Sequence, residues 1–360
     1  MDAGIQQQSF SFSETAPSFE RFPKTRYLGS KRKLLPLLRH IFSTLEFQTA
    51  LDPFSGTGSV AYLLKTLGKS IVASDAQRFN TVAARALVEN ERVQISPLLP
   101  SVLACIEASD LTGGFVETTF DGRFFLTDEN RFIDRCLAEI SKLTGYERDT
   151  ALFVLGQACL VKRPYNLFHR ANLNMRSREV KRSFGNKSTW DKPFADHMTA
   201  FAAETDRAIF EGAPCCVRLG DVLEAPFEPF DLVYLDPPYI SERGAAVDYA
   251  DYYHFLDGLC DPAAWPDKIL YRYKHRPLEG KGKSPFSDPK RIADAFEAVI
   301  SRFSGSTLVV SYRSDGIPSV PDIQRFLEKA GKRVTLHDAG TYTYALSTNK
   351  RSREVVLVGV

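Results

Sequence analysis

The feature that most constrains the fold is a glycine-rich turn between an apolar strand and a helix. Thr49–Phe54 is short and apolar and predicts a buried strand, which Ser55-Gly56-Thr57-Gly58 follows as a turn. Ser59–Leu67 has apolar residues at helical spacing, and Ser70–Ser74 predicts a second strand that ends at Asp75. A strand, a helix and a second strand in this order imply parallel strands covered by helices. We therefore expect an α/β fold with a Rossmann-like sheet.

The remaining chain divides into a second set of strands and a long segment that separates the two sets. From about residue 96 to 211 the strand pattern fades, and helical patterns occur at Arg131–Leu143, Arg148–Leu160 and Phe194–Phe210. Strands resume as apolar runs at Cys215–Leu219, Phe230–Leu235, Thr307–Ser311, Arg333–His337 and Glu354–Val358. We predict a catalytic domain made of residues 23–95 and 212–360, a mostly helical insertion at 96–211, and a flexible N-terminal tail at 1–22.

The composition is that of an ordinary globular protein. Of the 360 residues, 44% are hydrophobic and 25% are charged, which excludes a disordered or collagen-like chain. Apolar runs are shorter than the roughly 18 residues that a membrane span needs, and the N-terminus lacks the pattern of a secretory signal. The six cysteines form no CxxC pair and the six histidines form no HExxH motif, so we expect neither a metal site nor a disulfide framework. These features predict a cytoplasmic protein.

Charge is segregated along the chain, although the net charge is only +2. Eight basic residues and one acid lie between Lys162 and Trp190, and eight basic residues and two acids lie between Lys268 and Arg291. Between Asp221 and Asp261 the balance reverses to ten acids and one arginine. Aromatic or amide residues are interleaved with both basic stretches, a pattern typical of nucleic-acid contact. The sequence thus indicates a polyanion held at two places around an acidic centre, although a solvated charged surface would have the same composition.

The glycine turn also has the pattern of a cofactor site. Gly56 and Gly58 let the backbone turn sharply after the strand and let a ligand approach it closely. Asp75 follows Gly56 by nineteen residues, at the end of the next strand, where a carboxylate can accept hydrogen bonds from a ribose diol. The pattern predicts an adenosine-bearing cofactor and leaves a nicotinamide dinucleotide and S-adenosylmethionine both open.

A second motif, Asp236-Pro237-Pro238-Tyr239, directly follows an apolar strand. Two prolines end the strand and fix the backbone, so that a carboxylate and an aromatic ring project from the carboxyl edge of the sheet. The Asp236 carboxylate and the Pro237 carbonyl can accept both hydrogens of an amino group on a heteroaromatic ring, and Tyr239 offers a stacking face. A fixed anion stabilises the positive charge that the nitrogen gains as it attacks a methyl donor. The motif therefore predicts methyl transfer to an exocyclic amino group, with Asp236, Pro237 and Tyr239 as catalytic residues.

Together these motifs resemble the Dam-type class (class alpha) of DNA adenine-N(6) methyltransferases, which also includes many type II restriction–modification methylases. The resemblance rests on RYLGSK at 26–31, DPFSGTG at 52–58, SDAQ at 74–77 and DPPY at 236–239, in this order and with a long segment before DPPY. Segments 164–176 and 183–191 are similar to the insertion of the restriction-linked members.

The resemblance implies an enzyme that transfers methyl from S-adenosylmethionine to a flipped adenine at a specific site in double-stranded DNA. It also implies a bacterial, nucleoid-associated protein with a cognate restriction endonuclease as its functional partner. The insertion would be the target-recognition region. By matching positions, the implied cofactor-binding residues are Tyr27, Lys31, Phe54, Gly56, Gly58, Asp75 and Asp236. We add Asp221, at the end of a neighbouring strand, as an acceptor for the adenine amino group of the cofactor.

The two basic stretches supply the predicted contacts to DNA. The candidates are Arg163, Arg170, Asn172, Asn174, Arg176, Arg178, Lys181, Arg182, Lys274 and Arg276. Arginine suits guanine and asparagine suits adenine in the major groove, so the members between 170 and 176 are candidates for reading base edges or for holding the backbone. The sequence does not assign individual bases to them.

Three alternative functions keep part of this pattern. A nicotinamide-dependent dehydrogenase would share the glycine turn and Asp75, but it leaves DPPY and the basic stretches unexplained. Amino-group methylation of cytosine or of RNA would use the same kind of pocket. A non-catalytic DNA-binding module would retain the basic stretches without needing intact cofactor motifs. The combined motifs favour methylation of adenine in DNA.

Overall fold

The structure of the protein is a computed structural model. It describes residues 18–27, 29–177, 187–242, 244, 246–280, 284–341 and 352–360. Arg178, Lys181 and Arg182, three of the predicted DNA contacts, lie outside the described residues, as does most of the predicted N-terminal tail. In the described end of that tail, Phe22 is buried against Tyr62 with the ring centroids 5.2 Å apart. The packed part of the chain therefore begins before residue 23.

In the described residues, seven strands form the central sheet and two short strands form a separate ribbon. In chain order they are β1 (Thr49–Asp52), β2 (Ser70–Asp75), β3 (Cys215–Leu219), β4 (Leu232–Leu235), β5 (Ile240–Ser241), β6 (Thr307–Arg313), β7 (Gly316–Ile317), β8 (Val334–Thr341) and β9 (Arg353–Gly359). The sheet order is β3-β2-β1-β4-β6-β9-β8, and β5 pairs with β7. Each predicted strand is found at its expected place in the chain.

The sheet is mostly parallel. Neighbouring strands from β3 to β6 run parallel, whereas β9 is antiparallel to β6 and β8 is antiparallel to β9. The predicted α/β fold with a Rossmann-like sheet is confirmed. The antiparallel edge was not predicted, because an antiparallel pair needs no crossover helix and so lacks the strand–helix–strand pattern.

The helices follow the strands and fill the segment between β2 and β3. They are α1 (Leu35–Ser43), α2 (Ser59–Thr66), α3 (Arg78–Ala84), α4 (Leu99–Ala108), α5 (Phe115–Thr119), α6 (Thr127–Ile140), α7 (Gly145–Val161), α8 (Asn174–Ser177), α9 (Lys187–Asp191), α10 (Phe194–Ala208), α11 (Tyr249–Cys260), α12 (Ile292–Arg302) and α13 (Val320–Lys329). The described part of 96–211 contains α4 to α10 and no strand, as the sequence suggests. None of the described helices is both long enough and apolar enough to cross a lipid bilayer.

Alternate residues of each central strand contribute to two buried cores, one on each face of the sheet. On β1, Ala50 packs into one core and Leu51 into the other, and both are fully buried. The first core also contains the helices of 96–211: Phe168 stacks on Phe255 of α11 with the centroids 4.9 Å apart. These helices therefore share a core with the sheet, and their separate role as a recognition domain stays a prediction.

Candidate active site at the carboxyl edge of the sheet

The functional motifs meet where the strand order changes direction. β1 lies between β2 and β4, so the sheet extends to one side through β2 and β3 and to the other through β4 and β6. Because these strands are parallel, the ends of β1, β2 and β4 reach one edge, at Asp52, Asp75 and Leu235. The crevice at such a point is the usual ligand site of an open α/β sheet.

The predicted ribose acid holds the glycine turn. Gly56 and Gly58 have φ values of 50° and 87°, which favour glycine. A side chain at Gly58 would also come within 3.0 Å of Val88, whereas the space beside Gly56 is open. Asp75 Oδ2 accepts a hydrogen bond of 2.9 Å from the Gly56 amide. The turn therefore presents an open backbone face beside a carboxylate.

Two acids, the half-buried Asp75 and the buried Asp52, lie beside this turn. Burial raises the pKa of Asp75 to about 6, although hydrogen bonds, including those from the Gln77 and Gly56 amides, lower it. Asp52, which the sequence analysis did not select, is 1% exposed, and none of the described residues donates a hydrogen bond to its Oδ1. Burial, and then the charges of Asp236 and Asp75, raise the pKa of Asp52 well above its usual range. A buried carboxylate oxygen without a donor fits a ligand that brings hydroxyl or amino hydrogens.

Tyr27 lies beside the end of β2, in a cluster of tyrosines. Its hydroxyl donates to Gln77 Oε1 over 3.2 Å and accepts from Asn80 Nδ2 over 2.9 Å. Its ring stacks on two residues of α11, with centroids 4.2 Å from Tyr253 and 5.9 Å from Tyr249. The structure thus joins the N-terminal segment, the end of β2 and α11 at one point.

The remaining predicted cofactor residues follow the ends of two other strands. Phe54 follows β1 and packs edge-to-face on Phe286 with centroids 5.0 Å apart. Asp221 comes two residues after β3, whose last residue pairs with Asp75. Its Oδ1 accepts from the Leu223 amide at 2.8 Å, so the side chain also holds its own turn. Both residues lie at the strand edge that the sequence predicts.

Lys31 contacts the predicted catalytic acid. Its Nζ lies 2.7 Å from Asp236 Oδ2, and the two side chains are only 6% and 13% exposed. Burial raises the pKa of Asp236, and the Lys31 charge opposes this rise. Lys31 Nζ also donates to the Gly29 carbonyl at 3.2 Å, and Gly29 has a φ of 82° with no room for a side chain beside the Tyr249 hydroxyl. Lys31, predicted to bind cofactor, is therefore a direct partner of the acid.

Tyr239 is bonded to the same acid and to a second one. Its hydroxyl lies 2.8 Å from Asp236 Oδ1 and 2.6 Å from Glu354 Oε1. Lys31 Nζ also lies 4.8 Å from the centroid of the Tyr239 ring, a cation–π distance. Pro237, the third predicted catalytic residue, is buried directly after Asp236. Glu354 is a fully buried residue of β9, and the sequence analysis placed it only within a strand. An acid that begins an apolar strand was the available signal, because buried glutamates are rare without a partner.

Two of the predicted DNA contacts are buried instead of exposed. Arg163 donates to the Arg170 carbonyl at 2.8 Å and to Asn172 Oδ1 at 2.5 Å. Arg176 forms a bidentate pair with Glu129, with both N–O distances 2.7 Å. Their guanidinium groups hold the segment around them, so the prediction that Arg163 and Arg176 contact DNA is corrected. Residue composition showed their charge but not their internal partners.

A cleft of about 610 Å³ opens beside this segment. It is lined by Pro164, Tyr165, Leu167, His169, Arg170, Asn172, Asn174, Met175 and Tyr252. Arg170 and Asn174 are exposed, and Asn172 is half-buried because its Oδ1 accepts from Arg163. Tyr165 is exposed on a left-handed backbone with φ of 62°. Aromatic, amide and basic side chains thus share one accessible cleft.

The second basic stretch folds into a loop that we call the basic hairpin (residues 268–279). Ile269 and Leu278 pair across its base, and His275 Nε2 lies 2.8 Å from Asp251 Oδ1 of α11. The predicted contact Lys274 is exposed, and Arg276 is half-buried at φ of 50°. Tyr252 of α11 lines the cleft, and Asp251 of α11 contacts His275 of the hairpin, so this one helix contacts both the cleft and the basic hairpin.

The basic hairpin also exposes two aromatic rings. Tyr271 is 57% exposed and Tyr273 is 45% exposed. Arg276 lies 4.8 Å from the Tyr271 centroid, and Arg272 lies 4.9 Å from that of Tyr273. These cation–π contacts place charge and ring together on the surface.

The motifs at this edge lie within a match to a known family. Residues 27–258 match the family described as D12 class N6 adenine-specific DNA methyltransferases. The chain belongs to this family. The match includes the glycine turn, the helices between β2 and β3, and Asp236 to Tyr239. The prediction of an adenine-specific DNA methyltransferase is thereby confirmed, and the family favours adenine in DNA over cytosine, RNA or a non-catalytic module.

Named relatives of the methyltransferase align over most of its length. It is 24% identical to "Type II methyltransferase M2.HphI" of Haemophilus parahaemolyticus, over 94% of this chain and 97% of that protein. It is 25% identical to "Type II methyltransferase M.NlaIII" of Neisseria lactamica, over 85% of this chain and 88% of that protein. It is 22% identical to "Modification methylase StsI" of Streptococcus sanguinis, over 84% of this chain and 46% of that protein.

Proposed function

We propose that this DNA adenine methyltransferase takes its methyl group from S-adenosylmethionine and acts on an adenine flipped out of duplex DNA at a specific site. We further assign it to the Dam-type class alpha and to restriction–modification. The observation that carries the proposal is the Asp236 carboxylate at the end of β4, held by Lys31 and Tyr239 at the same sheet edge as the glycine turn.

The residues at the glycine turn fit S-adenosylmethionine. The cofactor would supply an electrophilic methyl group on a sulfonium. Asp75 can accept from ribose hydroxyls, and Asp52 Oδ1 has unused capacity for a further hydrogen-bond donor. The open space beside Gly56 admits a ligand against the backbone. Tyr27, Phe54, Gly58 and Asp221 complete the proposed cofactor set, while Lys31 acts on Asp236.

The catalytic step that we propose needs no covalent nucleophile. Asp236 and the Pro237 carbonyl accept the two hydrogens of the adenine amino group and orient its nitrogen toward the methyl group. Tyr239 provides the stacking face. As the nitrogen gains positive charge, the fixed Asp236 anion stabilises it. The methyl–sulfur bond would break as the methyl–nitrogen bond forms, and the surplus amino proton would pass to Asp236 or to solvent.

The DNA surface that we propose consists of the cleft and the basic hairpin. Arg170 and Asn174 are exposed at the cleft, and Lys274 is exposed on the hairpin. The cleft and the hairpin both contact α11. Tyr249 and Tyr253 of that helix pack on Tyr27, one of the proposed cofactor-binding residues. Extruding a base costs a few kcal/mol, which phosphate contacts and stacking can offset. Asn172, Arg178, Lys181, Arg182 and Arg276 remain proposed DNA contacts.

The restriction–modification setting is supported by the relatives. Two of them are named type II methyltransferases and the third a modification methylase. A restriction endonuclease that cuts the same site would be the functional partner. The substrate would place the enzyme in the bacterial cytoplasm, with the DNA.

The decisive experiment identifies the modified nucleoside. Purified protein would be incubated with unmethylated plasmid DNA and S-adenosylmethionine, and the digested nucleosides would be identified by mass. We expect N6-methyldeoxyadenosine, and none from the matched D236A variant that still binds DNA. N4-methyldeoxycytidine, or turnover by D236A near that of the wild type, would contradict the proposal. Sequencing of the methylated DNA would then give the recognition site.

A further inference from the structure

Glu354 is a buried acid beside the catalytic centre that no motif of the sequence identifies. It belongs to β9, which is separated from β4 by β6 alone, and its side chain is only 1% exposed. It lies beyond residues 27–258, which the family matches. Removing a carboxylate from water is costly unless it gains partners, so its contacts are informative.

The Tyr239 hydroxyl lies between two carboxylates. It is 2.8 Å from Asp236 Oδ1 and 2.6 Å from Glu354 Oε1. A tyrosine hydroxyl has one hydrogen, so it can donate to only one of these oxygens at a time. The two acids are therefore alternative acceptors for the same hydrogen.

The choice of acceptor changes what Asp236 can offer to a substrate. Lys31 already donates to Asp236 Oδ2 from 2.7 Å. When Tyr239 donates to Oδ1 as well, both oxygens of Asp236 have a protein donor, which weakens them as acceptors for an incoming amino group. When the hydrogen turns to Glu354, Oδ1 is released while the Tyr239 ring keeps its anchor.

Lys31 cannot neutralise both acids. Its Nζ is 2.7 Å from Asp236 Oδ2 but 3.9 Å from Glu354 Oε1. The shorter contact directs the ammonium to Asp236. Glu354 thus leaves the ammonium to Asp236 and contacts the site through the Tyr239 hydroxyl.

We propose that Glu354 is a positioning residue that takes the Tyr239 hydroxyl hydrogen and so frees Asp236 Oδ1 for the amino group of the target base. The inference rests on the proposed function, in which Asp236 accepts that group. It assigns to β9, at the end of the chain, a part in the active site.

The test compares the effect of one substitution in two backgrounds. E354Q keeps the size of the side chain, but its amide is a weaker acceptor, so the hydroxyl stays on Asp236. We expect kcat to fall about tenfold, with the Kd values for DNA and S-adenosylmethionine within about twofold of wild type. In the Y239F background there is no hydroxyl to donate to Asp236, so E354Q should lower kcat by less than about threefold.

A matched control separates this role from a purely structural one. Asp134 is a buried carboxylate that accepts from the Val116 and Glu117 amides at 2.8 Å, on helices α6 and α5. D134N should lower the Tm and leave kcat unchanged. If E354Q does not fold, E354D keeps the charge but withdraws the acceptor, and it should show the same kcat loss.

Three outcomes would overturn the proposal, and they are distinguishable. A kcat of E354Q (or, if that variant does not fold, of E354D) within about twofold of wild type would remove Glu354 from catalysis. An equal loss in the wild-type and Y239F backgrounds would show that Glu354 does not act through the hydroxyl. A wild-type protein that gives no methylated nucleoside would overturn the proposed function, and this inference with it.

Discussion

The Lys31 ammonium lies 2.7 Å from Asp236 Oδ2, and both side chains are largely shielded from water. The two residues are far apart in the chain, one before β1 and the other after β4. Their contact means that the segment 26–31, which carries Tyr27, also contacts the carboxylate that we propose as catalytic. It also explains how a buried Asp236 can remain an anion, because the ammonium opposes the rise in its pKa.

Removing the Lys31 charge should therefore slow catalysis and change its pH dependence. In K31M only the Tyr239 hydroxyl still opposes the effect of burial on Asp236, so the pKa of that carboxyl rises further and the acid limb of kcat moves to higher pH. We expect at least an about tenfold loss of kcat near neutral pH, which corresponds to one pKa unit. The measurement is kcat at saturating substrates across neutral pH. The exposed Lys33 provides the control K33M, and an unshifted acid limb in K31M would show that Lys31 does not maintain the anion.

Cofactor affinity should depend on the protonation of Asp75. Its pKa is raised to about 6 by burial, so the carboxylate loses its charge as the pH falls through that value. One pH unit below it, we expect the Kd for S-adenosylmethionine to be about tenfold higher than at neutral pH. Protonation of Asp75 does not itself destabilise the folded state, because its folded pKa exceeds its unfolded one.

The variant D75N identifies the titrating group. It should bind the cofactor weakly at both pH values, as measured by calorimetry. If the pH dependence persists in D75N, another acid with a raised pKa is responsible, and Asp52 is the first to examine. If D75N binds as well as the wild type, the ribose assignment is wrong.

The parts of the site that the sequence predicted are those encoded locally. The turn at Gly56 is predictable because two glycines lie between an apolar strand and a helix. The role of Asp236 is predictable because this acid and two prolines directly follow another apolar strand. The contact of Lys31 with Asp236, and that of Glu354 with Tyr239, depend on sheet pairing between distant segments. No local pattern encodes such a contact.

The basic stretch at 162–190 shows the same limit for charge. Arg163 and Arg170 are seven residues apart and have equal charge, but one is buried and the other exposed. The difference comes from neighbours in space, because Arg163 donates to the Arg170 carbonyl and to Asn172. Arg176 is buried for the same kind of reason, since it pairs with Glu129 of α6. A charge count cannot distinguish an arginine that holds the protein together from one that is available to a phosphate.

This distinction predicts opposite effects for two arginines of that stretch. R176M removes one of two buried cationic partners of Glu129, since Lys162 also lies 2.7 Å from that carboxylate, and it should lower the free energy of unfolding by about 2 kcal/mol. R170Q changes an exposed residue and should alter it by less than about 0.5 kcal/mol. Urea unfolding measures both. Equal stabilities for R176M and wild type would mean that the contact with Glu129 contributes little to folding.

The salt dependence of DNA binding should identify the residues that meet phosphates. R170Q and K274Q should each reduce the slope of log K against log salt by about one. R333Q removes the same charge at the amino edge of the sheet, where β8 begins opposite the end of β9, and should leave the slope unchanged. A slope unaffected by all three variants would place the duplex on another surface.

The two exposed tyrosines of the basic hairpin should contribute through stacking rather than charge. Tyr271 and Tyr273 each lie against an arginine and present a ring to solvent. Stacking of a base on an aromatic side chain is worth about 1–3 kcal/mol, so Y271A/Y273A should weaken DNA binding at least about tenfold. The salt slope should not change, because no charge is removed. Y271F/Y273F keeps both rings and should bind like the wild type, as fluorescence anisotropy would measure. An alanine variant that binds normally would show that the rings are only solvated surface, and a lower slope would instead indicate that Arg272 and Arg276 had lost their positions.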